Sequence, residues 1–161
     1  MNNWIEIKNK EYKFKLRSAG ILIKNEKVLL VDMNNRGFLC LPGGYVELGE
    51  TTEEALLREL KEETKKKFQI EKYCGVLENY FIDKEYGKIH EISFYYLVSL
   101  KEKIDEKDFN LIENDNGNIV NLSFKWISLK ELNKYNVKPK LLQEILNNNL
   151  EFKHLIYNEF N

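Results

Sequence analysis

Residues 41–63 read Leu41-Pro42-Gly43-Gly44-Tyr45-Val46-Glu47-Leu48-Gly49-Glu50-Thr51-Thr52-Glu53-Glu54-Ala55-Leu56-Leu57-Arg58-Glu59-Leu60-Lys61-Glu62-Glu63. A glycine turn opens the stretch and a run of carboxylates closes it. Glu59, Glu62 and Glu63 stand at i, i+3 and i+4, so on a helix they share one face, with Glu59 directly against Glu63. A like-charge pair at that spacing destabilises a helix by about 0.2–0.5 kcal/mol. Two readings follow. One is a Glu-rich solvated face; the other is a face kept acidic to hold a hard divalent cation in an oxygen shell, magnesium above all.

The helix itself rests on other residues. Thr51 and Glu54 have the form of a capping box, in which each side chain satisfies a backbone amide of the first turn. Glu53 and Glu54 then lie where the helix dipole favours negative charge. At 100° per residue, Leu56, Leu57 and Leu60 fall on one side, and Ala55, Glu59, Glu62 and Glu63 on the neighbouring side. One stripe packs inward while the other looks into a cleft. Arg58, four residues from both Glu54 and Glu62, can pair along the helix and fix a carboxylate rotamer.

In this order and spacing, Gly44, Glu50 and Arg58-Glu59-Leu60-x-Glu62-Glu63 resemble the signature of the Nudix hydrolase family, Gly-x5-Glu-x7-Arg-Glu-apolar-x-Glu-Glu-x-Gly-apolar. Six specified residue types recur in register over twenty positions, a far stronger signal than a lone motif. The pattern ends differently here, with Lys65 at its glycine and Lys66 at its apolar position. Glycine there would serve as a left-handed helix exit. Either Lys65 takes a positive φ, or the helix runs on by about a turn.

The resemblance covers roughly residues 15–145 and implies an α/β sandwich of the α+β type, with a mixed sheet between helices. It also implies hydrolysis of a phosphoanhydride in a nucleoside diphosphate linked to another group, here a nucleoside triphosphate or related nucleotide. By the same resemblance Mg²⁺, with Mn²⁺ as a substitute, is held by Glu59, Glu62, Glu63 and the Gly43 carbonyl. Arg58, Glu59 and Glu62 form the catalytic set, with Arg58 orienting a carboxylate; the general base is one of Glu59, Glu62 and Glu63 or a glutamate outside the motif, and members of the family differ in which, Glu59 being the assignment taken here. Gly44 and Glu50 sit at the substrate rim. The alternative is a nucleotide-sensing domain that keeps the fold without catalysis; such domains usually lose acids from this motif, and none is lost here.

Composition agrees with one compact domain over residues 1–161. The chain is 43% hydrophobic, and its 25 basic and 26 acidic residues leave a net charge of −1, so no global field favours nucleic acid or membranes. No apolar run approaches the roughly 18 residues of a membrane helix, and the first residues lack a leader pattern, which makes cytoplasm the default. A homodimer is compatible with this composition. Cys40 and Cys74 lie in apolar, strand-like stretches as reduced core residues, matching no zinc spacing.

Elsewhere β-rich runs cover 17–24 and 27–33 around Asn25-Glu26, then 38–41, 68–81, 88–100 and 119–128, with a hairpin loop at 83–87. A short helix begins at Ser128, and Pro139 opens a terminal helix through Leu146 and beyond. Outside the acidic motif, Arg36 and Lys15 are candidate phosphate contacts, His90 and Glu91 candidate base or ligand, and Tyr80 a candidate stacking ring. Each also has a plain structural reading as a residue of a sheet face. Close before Trp126, where some Nudix members supply a further acid, the nearest carboxylates are Asp115 and Glu113.

Overall fold

The computed structural model describes residues 3–115, 117–147 and 150–160. Strands β1 (Glu6–Lys8), β2 (Tyr12–Ile21), β3 (Ile23–Lys24), β4 (Lys27–Met33), β5 (Leu39–Cys40) and β6 (Gly43–Tyr45) precede helix α1 (Thr52–Thr64). After it come β7 (Phe68–Asp83), β8 (Gly87–Leu100), β9 (Phe109–Asp115) and β10 (Asn118–Ser128). A 3-10 turn (Leu129–Lys134), β11 (Val137–Lys138), helix α2 (Leu142–Asn147) and β12 (Lys153–Asn158) complete the chain.

Among the described residues the strands form two six-stranded sheets. The first runs β1-β2-β8-β7-β12 with β6 also on β2, and the second runs β11-β5-β4-β10-β9 with β3 also on β4. The first sheet is mixed, since β2 pairs β8 in parallel and β7 pairs β8 antiparallel. The expected mixed α+β class is therefore observed, with more strand and less helix than the sequence suggested. The terminal helix is shorter than expected: Pro139 precedes it, accepting the Leu142 amide at 2.9 Å, and the chain returns as β12 beside β7. Residues 148–149, into which that helix was expected to continue, lie outside the described residues.

Local chemistry accounts for the elements that place the site. Thr51 and Glu54 form the capping box in full, and Leu56 and Leu60 are completely buried against β2. The helix can approach β2 because Gly20 has no side chain; a methyl there would stand 3.2 Å from Leu60 Cδ1. At the other end Lys65 takes φ 59°, and its amide donates to the Lys61 carbonyl at 2.9 Å. The left-handed exit is thus made by a lysine. The hairpin joining β7 and β8 is fixed by Asp83, whose Oδ1 accepts the amides of Glu85 and Tyr86.

Because side chains alternate along a strand, register decides which face each residue serves. Lys15 lies beside Glu91, and Arg17 beside Ser93, on one face of the first sheet. Phe14 with His90, and Gly20 with Tyr96, lie on the other, where α1 packs. Each face carries apolar packing: α2 residues Leu142 and Ile145 join Ala19, Ile21 and Tyr95, whereas Leu56 and Leu60 join Tyr96, Val98 and Phe124.

Candidate active site

The glycine turn is the meeting point of α1 and β2. Strand β6 pairs with β2, Ala19 opposite Gly43 and Ser18 opposite Gly44. A Cβ on Gly44 would stand 2.3 Å from the Glu59 carboxyl carbon, and one on Gly43 would stand 2.2 Å from the Ser18 carbonyl oxygen. Gly43 is therefore demanded by backbone contact and by its φ of +138°, whereas a side chain at Gly44 would displace the Glu59 carboxyl. The Gly43 amide donates to Glu63 Oε2 at 3.1 Å, and its carbonyl accepts from Arg17 Nη2 at 3.1 Å.

Glu59 and Glu63 are held in a medium that disfavours their charge. Burial raises the pKa of Glu59, against the opposing bond from Arg58. Glu63 is pushed well above the ordinary carboxylate range, first by burial and then by the neighbouring Glu59, with Glu113 on β9 adding to the effect. The third acid, Glu62, has a side chain 49% exposed and is turned toward Arg58 at 3.4 Å.

Arg58 organises the rim. It donates to Glu50 through Nη2 (2.7 Å) and Nε (3.2 Å), to the Tyr45 carbonyl (3.0 Å) and to Glu59 (2.8 Å). Glu54 is not among its partners, because the Thr51 cap uses that carboxylate. Glu50, whose pKa is lowered chiefly by the Arg58 bond, also accepts the Glu47 amide. It latches the turn onto the helix.

A second network lies on the charged face of the sheet. Glu91 is buried, receives the Ser93 hydroxyl at 2.9 Å, and faces Lys15 at 3.6 Å and Arg17 at 3.7 Å. Burial alone would raise its pKa; Arg17, Lys15 and Ser93 outweigh that and hold it below the ordinary value. Arg17 keeps its charge for the same reason, Glu91 overcoming the cost of burial. Lys15 is lowered by burial and stands over the rings of Tyr45 and Phe81, 5.9 and 5.5 Å from their centroids.

The structure thus brings Gly43, Gly44, Glu50, Arg58, Glu59 and Glu63 together around one turn and links them through Arg17 to Glu91 and Lys15. It does not bring Arg36, Tyr80 or His90 there. Arg36 is paired with Asp83 at 2.9 Å. His90 stacks on Tyr80 with ring centroids 4.3 Å apart, on the sheet face opposite Glu91, since neighbours on a strand point to opposite sides. Arg17 is the residue that sequence reasoning missed. Its signal was present in Lys13, Lys15 and Arg17, a basic residue at every second position between Phe14 and Leu16.

The donor set fits a hard divalent cation in kind: all donors are oxygens, and two are carboxylates, Glu63 buried and Glu59 half-buried, whose mutual repulsion a cation relieves. Among the described residues no three acidic, histidine or cysteine side chains converge as they stand. Glu59 and Glu62 are both paired with Arg58 instead.

The NUDIX domain model matches residues 14–145, and the chain belongs to that family. Over 62 residues it is 48% identical to an ADP-ribose pyrophosphatase of Methanocaldococcus jannaschii, a match spanning 34% of this chain and 37% of that protein's length. The fold is similar to that of a MutT protein from Bacillus halodurans (TM-score 0.61, 18% identity, 90% of this chain and 91% of that one). It is also similar to an ADP-ribose pyrophosphatase from Streptococcus suis (TM-score 0.55, 17% identity, 89% and 98%). No helix among the described residues is long and apolar enough to cross a membrane.

Proposed function

We propose that the chain is a divalent-cation-dependent pyrophosphohydrolase acting on a nucleoside triphosphate or a related nucleoside diphosphate derivative. The observation that carries this is the placement of half-buried Glu59 and buried Glu63 against the glycine turn, a repulsive arrangement that costs stability unless a cation lies among the oxygens. Family membership and the partial similarity to an ADP-ribose pyrophosphatase support it.

When bound, Mg²⁺ supplies Lewis-acid neutralisation of the phosphate oxygens. Glu59, Glu62, Glu63 and the Gly43 carbonyl are the groups that would hold it. Glu59 is assigned the proton of the attacking water, as the acid that lies against Gly44 and is held in place by Arg58. Arg58 holds Glu59 in place and, through Glu50 and the Tyr45 carbonyl, fixes the turn. Arg17 positions the Gly43 carbonyl and Glu91 together.

The test is a nucleotide panel that includes triphosphates and ADP-ribose, assayed for phosphate, pyrophosphate and nucleoside monophosphate release with and without Mg²⁺. Turnover that needs the cation and falls by orders of magnitude in Glu63→Gln supports the reading. Cation-independent turnover, or nucleotide binding without turnover, overturns it.

A further inference from the structure

We infer that the protein carries a second ligand site, for a planar heteroaromatic group such as a nucleobase, on the sheet face turned away from Glu91 and Arg17. Helix α1 covers that face near Gly20. Phe14 lies six residues earlier on β2, about 20 Å away along the strand, and there a cavity of about 350 Å³ is lined by Ile7, Asn9, Tyr12, Phe14, Tyr80 and His90. Its volume falls within the range of small-molecule pockets, and its walls are largely aromatic.

Geometry selects the ligand class. Tyr80 and His90 are stacked face to face at 18° with centroids 4.3 Å apart, and Phe14 meets the His90 ring edge-on at 5.2 Å. Phe160 meets Tyr80 and Tyr12 the same way, at 6.2 and 5.9 Å. Edge and face arrangements of this kind bind another flat ring by stacking. Within this aromatic cluster His90 Nε2 is buried without a hydrogen-bond partner. A buried polar atom left unpaired costs about 1–3 kcal/mol, and a heterocycle with ring nitrogens or an exocyclic amine can pair with it once the rings part to admit it. An aliphatic chain cannot. At the rim Lys88 lies over the Tyr12 and Phe160 rings and is paired with Glu11 at 3.0 Å, so the entrance does not require a charged ligand.

The site does not depend on the hydrolase reading. Its test is titration of the metal-free protein with adenosine while the imidazole C–H proton resonances are followed by NMR. The chain has only 2 histidines, so His154→Gln identifies the His90 signals. They are expected to shift saturably, with affinity reduced at least tenfold in Tyr80→Ala at unchanged circular dichroism. Should that variant unfold, Tyr80→Leu keeps the apolar bulk and is expected to show the same loss. No saturable shift at His90 overturns the inference. So does a shift that survives the Tyr80 substitution but disappears in Glu63→Gln, which would assign the binding to the acidic cleft. Toluene binding as tightly as adenosine would remove the role given to His90 and with it the heteroaromatic class.

Discussion

Gly43 and Gly44 are neighbours, yet their replacement by alanine should damage different properties. In Gly44→Ala the new methyl would lie 2.3 Å from the Glu59 carboxyl carbon. Carbon contacts relax at about 3.5 Å, so the carboxyl must retreat by about 1.2 Å. It is the end of a flexible side chain, and its retreat costs little beyond the Arg58 bond, about 1 kcal/mol. For a chain of this length that is a fall of about 2–4 °C in melting temperature. A displacement of about 1 Å at a reacting group costs about 100-fold in rate, so kcat/KM should fall by at least that factor. In Gly43→Ala the obstacle is the Ser18 carbonyl, 2.2 Å away, and φ is +138°. Backbone must move there, at about 3 kcal/mol, which lowers the melting temperature by about 6–12 °C. Differential scanning fluorimetry and the hydrolysis assay together separate the two effects. Full activity in Gly44→Ala, or a wild-type melting temperature in Gly43→Ala, would refute the contacts on which the active-site reading depends.

Three further outcomes are expected. Replacing Lys65 with glycine relieves the left-handed helix exit and should raise the melting temperature by about 2–4 °C, since positive φ in a non-glycine residue costs about 1 kcal/mol; a decrease would contradict the cap geometry. Glu91→Gln leaves Arg17 and Lys15 without their buried counter-charge and should destabilise by about 3 kcal/mol near neutral pH. Because the folded state lowers the Glu91 pKa, this stabilisation is present above the ordinary carboxylate range and lost as pH falls through the lowered value, so wild-type and variant melting curves should converge in acid; a constant gap would exclude Glu91 titration as its source. Glu59→Gln removes one of two repelling carboxylates and should melt at or above wild type in chelator, yet gain less from added Mg²⁺; equal gains in both proteins would count against Glu59 as a cation-holding group.

Helix α1 was legible in the sequence because its signals are local: the cap at Thr51, the buried leucines and the acid spacing all lie within one segment. Even the choice at Lys65 was posed by a single missing glycine. Strand β12 was not legible, since its partner β7 lies more than seventy residues earlier and its exposed edge has only weak alternation. The same reason hid the division between Glu91 and His90. Alternation says that they diverge, but only register across β2, β8 and β7 says which one meets Arg17 and which meets Tyr80. The hub itself was hidden because Arg17 acts on Gly43 and Glu91, residues brought near it only by sheet pairing.

The backbone of Gly43 gives that hub a mechanical meaning. Its N–H is gripped by the Glu63 carboxyl group on α1, while the carbonyl of the same residue is gripped by the Arg17 guanidinium on the sheet. The two groups lie in adjacent peptide planes that meet at one Cα, and the pairing of Gly43 with Ala19 and the closeness of the Ser18 carbonyl restrict the torsions between them. Whatever pulls on Glu63 therefore also loads the Arg17–Glu91 pair.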